Sequence, residues 1–300
     1  MLTELLDMLS SPLMQRSLLA ALLIGMCAPV VGTYLVHRRL AMLGDGISHL
    51  SLTGVALGWL AAATAHVASP DRWAIPGALI ISIIGAVAIE LIRYSGHASA
   101  DVALAMIFYG GIAGGVLLIG IAGGTSAQLN SYLFGSISTV SWNDIFSVSL
   151  LAGIVLLIGI GITPALYSVT NDEEFARSTG LPVRFLSMIL AILSALTVAI
   201  AMRIVGSLLV SALMVIPVAI AQLWAASFRS TMTWAMIIGT CLTVGGLTFT
   251  YFVDLSPGAT IVVAAIVLYA VGFIIHGIVT SFRRQHLTSL TRSREASTHE

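Results

Sequence analysis

The chain has 300 residues, of which 58% are hydrophobic and only 9% are charged, and its formal net charge is zero. An ordinary soluble domain carries about 25% charged residues, so this chain cannot cover a globular surface, and its mean hydropathy of +1.03 indicates a lipid environment. All 13 basic residues are Arg, which excludes two chemistries that need Lys: phosphate binding by a Walker-type loop and Schiff-base catalysis.

Long apolar runs dominate the sequence, and a helix needs about 20 apolar residues to cross the hydrocarbon core. The runs predicted to span the membrane are 13–36, 47–66, 73–93, 101–124, 144–168, 184–201, 205–226, 232–253 and 258–280. We therefore predict an all-α, polytopic transmembrane helical bundle with eight or nine spans, one of them broken or re-entrant. Residues 1–280 form a single transmembrane domain in this interpretation, and residues 281–300 form a polar cytoplasmic tail predicted to be disordered.

The distribution of Arg predicts the orientation, because cytoplasmic loops carry an excess of positive charge. With nine spans and the C-terminus in the cytoplasm, ten Arg residues lie inside and three, Arg16, Arg72 and Arg203, lie outside. The N-terminus is then external, and this placement fails first if one span is re-entrant.

The first polar feature along the chain is "GDGISHLSLT", residues 44–53. Asp45 and His49 are four residues apart and share a helical face, which Ser48 and Thr53 extend into a polar stripe. Ionisable residues in membrane spans usually face a bundle interior or a water path, and a carboxylate with an imidazole suits Zn²⁺ or Mn²⁺. The alternative is that Asp45 caps the span and His49 is an ordinary core histidine. Two ligands do not complete a metal site, so other helices or a second copy of the chain would supply the rest.

The stretch "NDEEFARSTGLPVRF", residues 171–185, is charged and separates two apolar runs. Asn171 is a suitable N-cap, acidic residues favour the positive end of a helix dipole, and Gly180 is a natural stop. Because so short a helix is unstable alone, we predict a docking helix for a soluble partner, with a solvated loop as the alternative. The residues predicted to carry this docking are Asp172, Glu173, Glu174, Phe175, Ala176, Arg177 and Gly180.

The segment 203–217 is the predicted broken span. Pro217 removes a backbone hydrogen bond and disfavours helical geometry before it, while Gly206 and Ser211 permit close helix approach. We predict a gating element beside a transport path. The alternative is a standard span in which Arg203 reaches the interface.

Three long stretches resemble the membrane permeases of zinc, manganese and iron ABC importers. They are "MQRSLLAALLIGMCAPVVGTYLVHRRLAMLGDGISHLSLTGVALG", "SYLFGSI" and "DEEFARSTGLPVRFLSMILAILSALTVAIAMRIVGSLLVSALMVIP". They occur in the family's order and cover most of residues 13–226.

This resemblance implies the permease subunit of an ATP-driven importer of divalent transition metal ions, zinc or manganese rather than iron, in the bacterial cytoplasmic (inner) membrane. The implied partners are a cytoplasmic ATP-binding ABC subunit, an external metal-binding protein, and a second copy of the permease or a related permease. Asp45 and His49 are expected to contact the passing ion, and the segment 172–180 is expected to be the coupling helix that enters a groove on the ATPase. No enzymatic activity, permanently bound cofactor or nucleic acid is expected.

Two other functions are compatible with parts of the sequence. A proton-coupled secondary metal transporter would use Asp45 and His49 as a proton relay, but it would leave the segment 171–185 without a role. An intramembrane aspartyl protease would need a GxGD-like context, whereas Met42, Leu43 and Gly44 precede Asp45.

Overall fold

The computed structural model describes residues 7–65, 71–95, 100–123, 125–135, 141–253 and 255–297. Within these residues every regular element is an α-helix. The helices are α1 Pro12–His37, α2 Ala41–Thr64, α3 Asp71–Ser95, α4 Ala100–Ile121, α5 Ser126–Phe134, α6 Trp142–Gly161, α7 Thr163–Asn171, α8 Glu173–Ser178, α9 Val183–Val205, α10 Ser207–Gln222, α11 Phe228–Phe252 and α12 Pro257–Ser297.

Eight of the described helices are long and apolar enough to cross a membrane: α1–α4, α6, α9, α11 and α12. Helix α10 is apolar but shorter, with 16 residues and a length of about 24 Å. It begins beside α5, where Gly206 lies against the backbone of Leu133. It ends shortly before Phe228, whose ring packs on His37 at the C-terminus of α1. Counted with α10, the described residues contain nine apolar helices of the bundle. The ends of the bundle that carry α5 and α8 are called the α5 end and the α8 end below.

Helix α1 lies at the centre of the bundle and is buried along most of its length. Gly32 lets the backbone of α10 approach so closely that a Cβ atom there would lie 1.8 Å from the carbonyl oxygen of Met214. On another side of α1, the hydroxyl of Tyr34 donates a hydrogen bond of 2.6 Å to the carbonyl of Gly159 in α6. In lipid the hydrophobic effect does not drive helices together, so association depends on the close packing that small residues allow. Helix α1 thus fixes the positions of α6 and α10.

Helix α2 begins six residues earlier than the predicted span 47–66. A turn of three residues joins it to α1, with Arg39 in the left-handed region at φ 59° and the Leu40 N–H donating to the Leu35 carbonyl at 2.8 Å. Such a bond terminates a helix and reverses the chain. Asp45 therefore lies inside α2 rather than at its N-cap, which is Leu40, and the capping interpretation of Asp45 is wrong.

The predicted span 144–168 is divided into two helices. Helix α6 ends at Gly161, Ile162 forms the turn, and α7 follows from Thr163 with Pro164 in its first turn. Proline is favourable in a first turn but lacks the N–H that would continue α6. The chain therefore turns here, and α7 is a separate short helix at the α8 end.

The break between α9 and α10 lies at Gly206, inside the predicted broken segment 203–217. Gly206 has φ 93°, and a Cβ atom there would lie 2.3 Å from the carbonyl oxygen of Leu133, so only glycine fits this junction. Pro217 lies inside α10, which continues to Gln222. The side chain of Arg203 lies outside the described part of the chain.

Helix α12 continues past the predicted span into the polar C-terminal segment as far as Ser297. The segment 281–297 is therefore helical in the structure, in contrast to the disorder predicted for it. Extending a helix that has already formed costs far less than nucleating a new one, which accounts for the continuation. Residues 298–300 lie outside the described residues.

Candidate functional site

Three polar side chains from two helices meet where the first turns of α2 pass α10. Asp45 and His49 lie one turn apart on α2, and Ser211 of α10 donates a hydrogen bond of 2.9 Å to Asp45 Oδ1. The same carboxylate oxygen is 3.8 Å from His49 Nε2, which is too long for a hydrogen bond. The sequence predicted that Asp45 and His49 share a face of α2 and that Ser211 lies beside a transport path. The structure brings these three residues together.

The imidazole of His49 is enclosed, with 2% of the residue exposed. The ring of Phe108 in α4 meets it edge-on, with centroids 4.4 Å apart. Its Nδ1 is buried and has no hydrogen-bond partner among the described residues. Burying a polar nitrogen without a partner is costly, and the explanations for such an atom in a native structure include a bound water, an ion or a catalytic role. Among the described residues, an ordinary core histidine at this position would leave Nδ1 without a hydrogen bond.

Asp45 opens onto a cavity of about 370 Å³. Its side chain is 28% exposed, and the other lining residues belong to α2 and α4. They are Met42, Leu104, Ala105, Phe108 and Tyr109. Met42 and Tyr109 are exposed on the surface of the chain, so the cavity has apolar walls, one carboxylate, and an open side.

Ser48 and Thr53 were predicted to continue the polar stripe, but their hydroxyl groups are engaged elsewhere. Ser48 Oγ donates to the carbonyl of Asp45 at 2.7 Å and is fully buried. Thr53 Oγ1 donates to the carbonyl of Gly111 in α4 at 2.7 Å. Gly111 allows this close approach, since a Cβ atom there would lie 2.8 Å from the carbonyl carbon of His49. The Ser48 bond lies within α2, the Thr53 bond joins α2 to α4, and neither residue lines the cavity.

The segment 172–180 forms the short helix α8 at one end of the bundle. Its N-cap is Asp172, not Asn171, because the Asp172 carboxylate accepts hydrogen bonds from the backbone N–H groups of Glu174 and Phe175 at 3.0 and 2.9 Å. Gly180 follows the helix at φ 81°. Ala176 is fully buried against the bundle while Phe175 is exposed, so α8 is fixed by its inner face and presents an apolar side chain outward.

A cluster of four charged residues joins α8 to the bundle: Arg38, Glu90, Arg93 and Glu173, called the charge cluster below. Glu173 Oε1 accepts hydrogen bonds from Arg38 and from Arg93, the latter at 2.9 Å. Arg93 also donates to Glu90 at 2.7 Å. Burial would raise the pKa of Glu173, but the hydrogen bonds and positive charges of the two Arg residues bring it below its ordinary value. The spacing of Glu90 and Arg93 within one helix favours their pairing, but no local pattern connects that pair to Arg38 and Glu173.

The other two residues predicted in the broken span lie on either side of Ser211. Gly206 packs against the end of α5, and Pro217 is buried further along α10. Neither lines the cavity at Asp45. Their effect on the site is to set where α10 begins and how it runs.

The fold and the site together define a helical protein with eight described helices able to cross a membrane and a carboxylate–imidazole pair on α2 beside α10. The chain belongs to the ABC 3 transport family, whose sequence model matches residues 10–276. It is 31% identical over 281 residues to the manganese transport system membrane protein MntC of Halalkalibacterium halodurans, covering 93% of each chain. It is 28% identical to the high-affinity zinc uptake system membrane protein ZnuB of Haemophilus influenzae, covering 90% of this chain and 97% of the relative.

A solved structure described as PsaBC from Streptococcus pneumoniae in complex with Fab contains a chain with a similar fold. The TM-score is 0.80 at 29% identity, and the match covers 91% of this chain and 95% of the other. The predicted fold class and family are thereby confirmed.

Proposed function

We propose that this protein is the permease subunit of an ATP-driven importer of divalent transition metal ions, with zinc or manganese as the transported ion. Asp45 and His49 would bind the ion transiently as substrate, and no metal would be resident. The observation that carries the proposal is the site itself: a carboxylate and an imidazole on one face of α2, held beside a cavity by Ser211.

The separation of the two donor atoms fits an ion between them. Two ligands on a tetrahedral ion with bonds of roughly 2.0–2.2 Å lie about 3.4 Å apart. The distance from Asp45 Oδ1 to His49 Nε2 is 3.8 Å, so a small side-chain adjustment would allow both to coordinate one ion. The enclosed imidazole and the apolar cavity walls would strip water from the ion, while only two protein ligands per chain keep binding weak enough for release.

A second permease would complete the site. Among the described residues there is no group of three or more His, Cys, Asp or Glu side chains that could hold a metal ion. The cavity beside Asp45 is open toward exposed Met42 and Tyr109. A second copy, or a related permease, packed over this opening would bring two carboxylates and two imidazoles around one path.

The other components of the transporter would be separate proteins. A cytoplasmic ATP-binding subunit would receive α8, whose exposed Phe175 fits an apolar groove, and an external metal-binding protein would deliver the ion at the α5 end. The relatives named for manganese and zinc transport support these two ions over iron. The location would be the bacterial cytoplasmic (inner) membrane.

The test of the site is metal uptake by the complete transporter reconstituted in proteoliposomes. Asp45→Asn and His49→Ala are each expected to abolish uptake of Zn²⁺ and Mn²⁺ while the variants still assemble with the ATPase. Ser147→Ala, an exposed change in α6, is the control and should transport normally. Normal uptake by both site variants would exclude the proposed site, and uptake driven by a proton gradient without ATP would favour a secondary transporter.

The test of the docking helix is site-directed cross-linking. Ser178 is exposed at the C-terminus of α8, so a cysteine there should be captured by the ATPase and labelled by a reagent added from the cytoplasmic side. Labelling from the external side alone would contradict both the docking and the orientation.

A further inference from the structure

The charge cluster lies deeper in the bundle than a surface salt bridge. The side chain of Arg38 is only 7% exposed and that of Glu90 only 2%. Arg38 also donates a hydrogen bond of 2.7 Å to Ser187 of α9, and its guanidinium is 4.0 Å from Glu90. The two carboxylates and two guanidinium groups alternate, so each buried charge has an opposite charge beside it. Removing one would leave the others uncompensated, which is the costly case for buried ion pairs.

The charge cluster gathers residues from three separate parts of the chain and contacts a fourth. Arg38 lies in the turn between α1 and α2, Glu90 and Arg93 lie in the last turns of α3, and Glu173 is the first residue of α8. Ser187 adds α9 through its contact with Arg38. A displacement of α8 that keeps Glu173 bound therefore acts directly on the α1–α2 turn through Arg38 and on α3 through Arg93.

The α1–α2 turn is stiff and leads straight to the site. Arg39 is held at φ 59°, and the Leu40 N–H is bonded to the Leu35 carbonyl at 2.8 Å. Helix α2 begins at Ala41, so Asp45 follows one helical turn later, about 6 Å along the helix axis. A rotation or shift of the turn at Arg38 is thus transmitted to Asp45 with no flexible segment between them.

Helix α8 has two faces with different contacts. Phe175 is exposed and Ala176 is buried, while Glu173 reaches inward to both Arg residues. Phe175 thus forms the outward face of α8, and Glu173 links the helix to the bundle. Glu173 can therefore be changed without altering Phe175.

We propose that the bond between Glu173 and Arg38 is the link through which movement of α8 repositions Asp45 and His49. Both are positioning residues and neither touches the ion. The inference rests on the proposed function, since it needs an ATPase that moves α8. It adds to that function a specific route from the docking helix to the metal ligands, which runs through the α1–α2 turn.

The experiment measures ATP hydrolysis and metal uptake together in proteoliposomes containing the complete transporter. Arg38→Gln, which leaves every residue of α8 unchanged, is expected to keep the ATPase bound and hydrolysing, and Glu173→Gln removes the same ion pair from the α8 side. They should lower the number of Zn²⁺ or Mn²⁺ ions imported per ATP by about fivefold or more, the lower limit of typical coupling between two sites. Arg229→Gln, an exposed Arg at the same end of the bundle, is the matched control and should keep the wild-type ratio.

A third variant covers the case in which the Gln proteins fold poorly. Glu173→Asp keeps the charge but is one methylene shorter, so it cannot reach both guanidinium groups, and it should also lower the ratio. An unchanged ratio in Glu173→Asp would overturn the proposal, as would loss of ATPase binding in the Gln variants, because the residues would then serve docking alone. A wild-type complex that imports no metal would instead refute the proposed function, so the two failures are distinguishable.

Discussion

Replacing Gly32 by Ala should push α10 away from α1 and displace Ser211 from Asp45. The added Cβ atom would lie 1.8 Å from the carbonyl oxygen of Met214, and real Cβ contacts essentially never fall below 3.0 Å. Backbone occupies both sides of this contact, so no side chain can rotate away and the helices themselves must separate. The hydrogen bond of 2.9 Å between Ser211 and Asp45 does not tolerate a displacement of that size.

The expected cost of this overpacking is about 1–3 kcal/mol, since a buried crossing must rearrange. The melting temperature of the purified permease in detergent and metal uptake by the reconstituted transporter are the two measurements. Both should fall for Gly32→Ala, with a drop in Tm of at least ~2 °C on the scale of roughly 2–4 °C per kcal/mol.

Gly245→Ala is the matched control, because Gly245 lies in α11 and nothing is within 4 Å of its added Cβ atom. Ala is favoured over Gly in a helix by about 1 kcal/mol, so this variant should melt at the wild-type temperature or above it. If Gly32→Ala melts and transports like the wild type, the close approach of α1 and α10 is wrong.

Two further predictions concern the polar contacts. Ser211→Ala removes a hydrogen bond to a carboxylate, which is worth about 1.5–3 kcal/mol. Metal uptake at limiting metal concentration should therefore fall about tenfold, the factor that corresponds to ~1.4 kcal/mol. Uptake equal to that of Ser147→Ala would show that Ser211 does not position Asp45. The lowered pKa of Glu173 means that its ionised form stabilises the fold above its ordinary pKa, and that this contribution is lost as the pH falls through the lowered pKa. The Tm difference between wild type and Glu173→Gln should therefore be present at pH 7 and shrink below about pH 4.3, whereas a difference that does not change with pH would contradict the ion pair with Arg38 and Arg93.

Features that depend on neighbours along the chain could be read from the sequence. Apolar run length predicted the long helices, because each must satisfy its own backbone hydrogen bonds in lipid. The spacing of Asp45 and His49 placed both on one face of α2, because that relation is internal to a helix. The acidic start of α8 and its glycine stop also follow from local geometry, although the capping residue is Asp172 rather than Asn171.

Features that depend on distant parts of the chain required the tertiary structure. Ser211 meets Asp45 across 166 positions, and Arg38 meets Glu173 across 135, and no local pattern encodes either pairing. The sequence predicted a break within 203–217 but did not distinguish Gly206 from Pro217 as its position, since both residues disfavour a continuous helix. The break lies at Gly206 because the backbone near Leu133 packs there and excludes any side chain, a constraint that exists only once the helices are packed together.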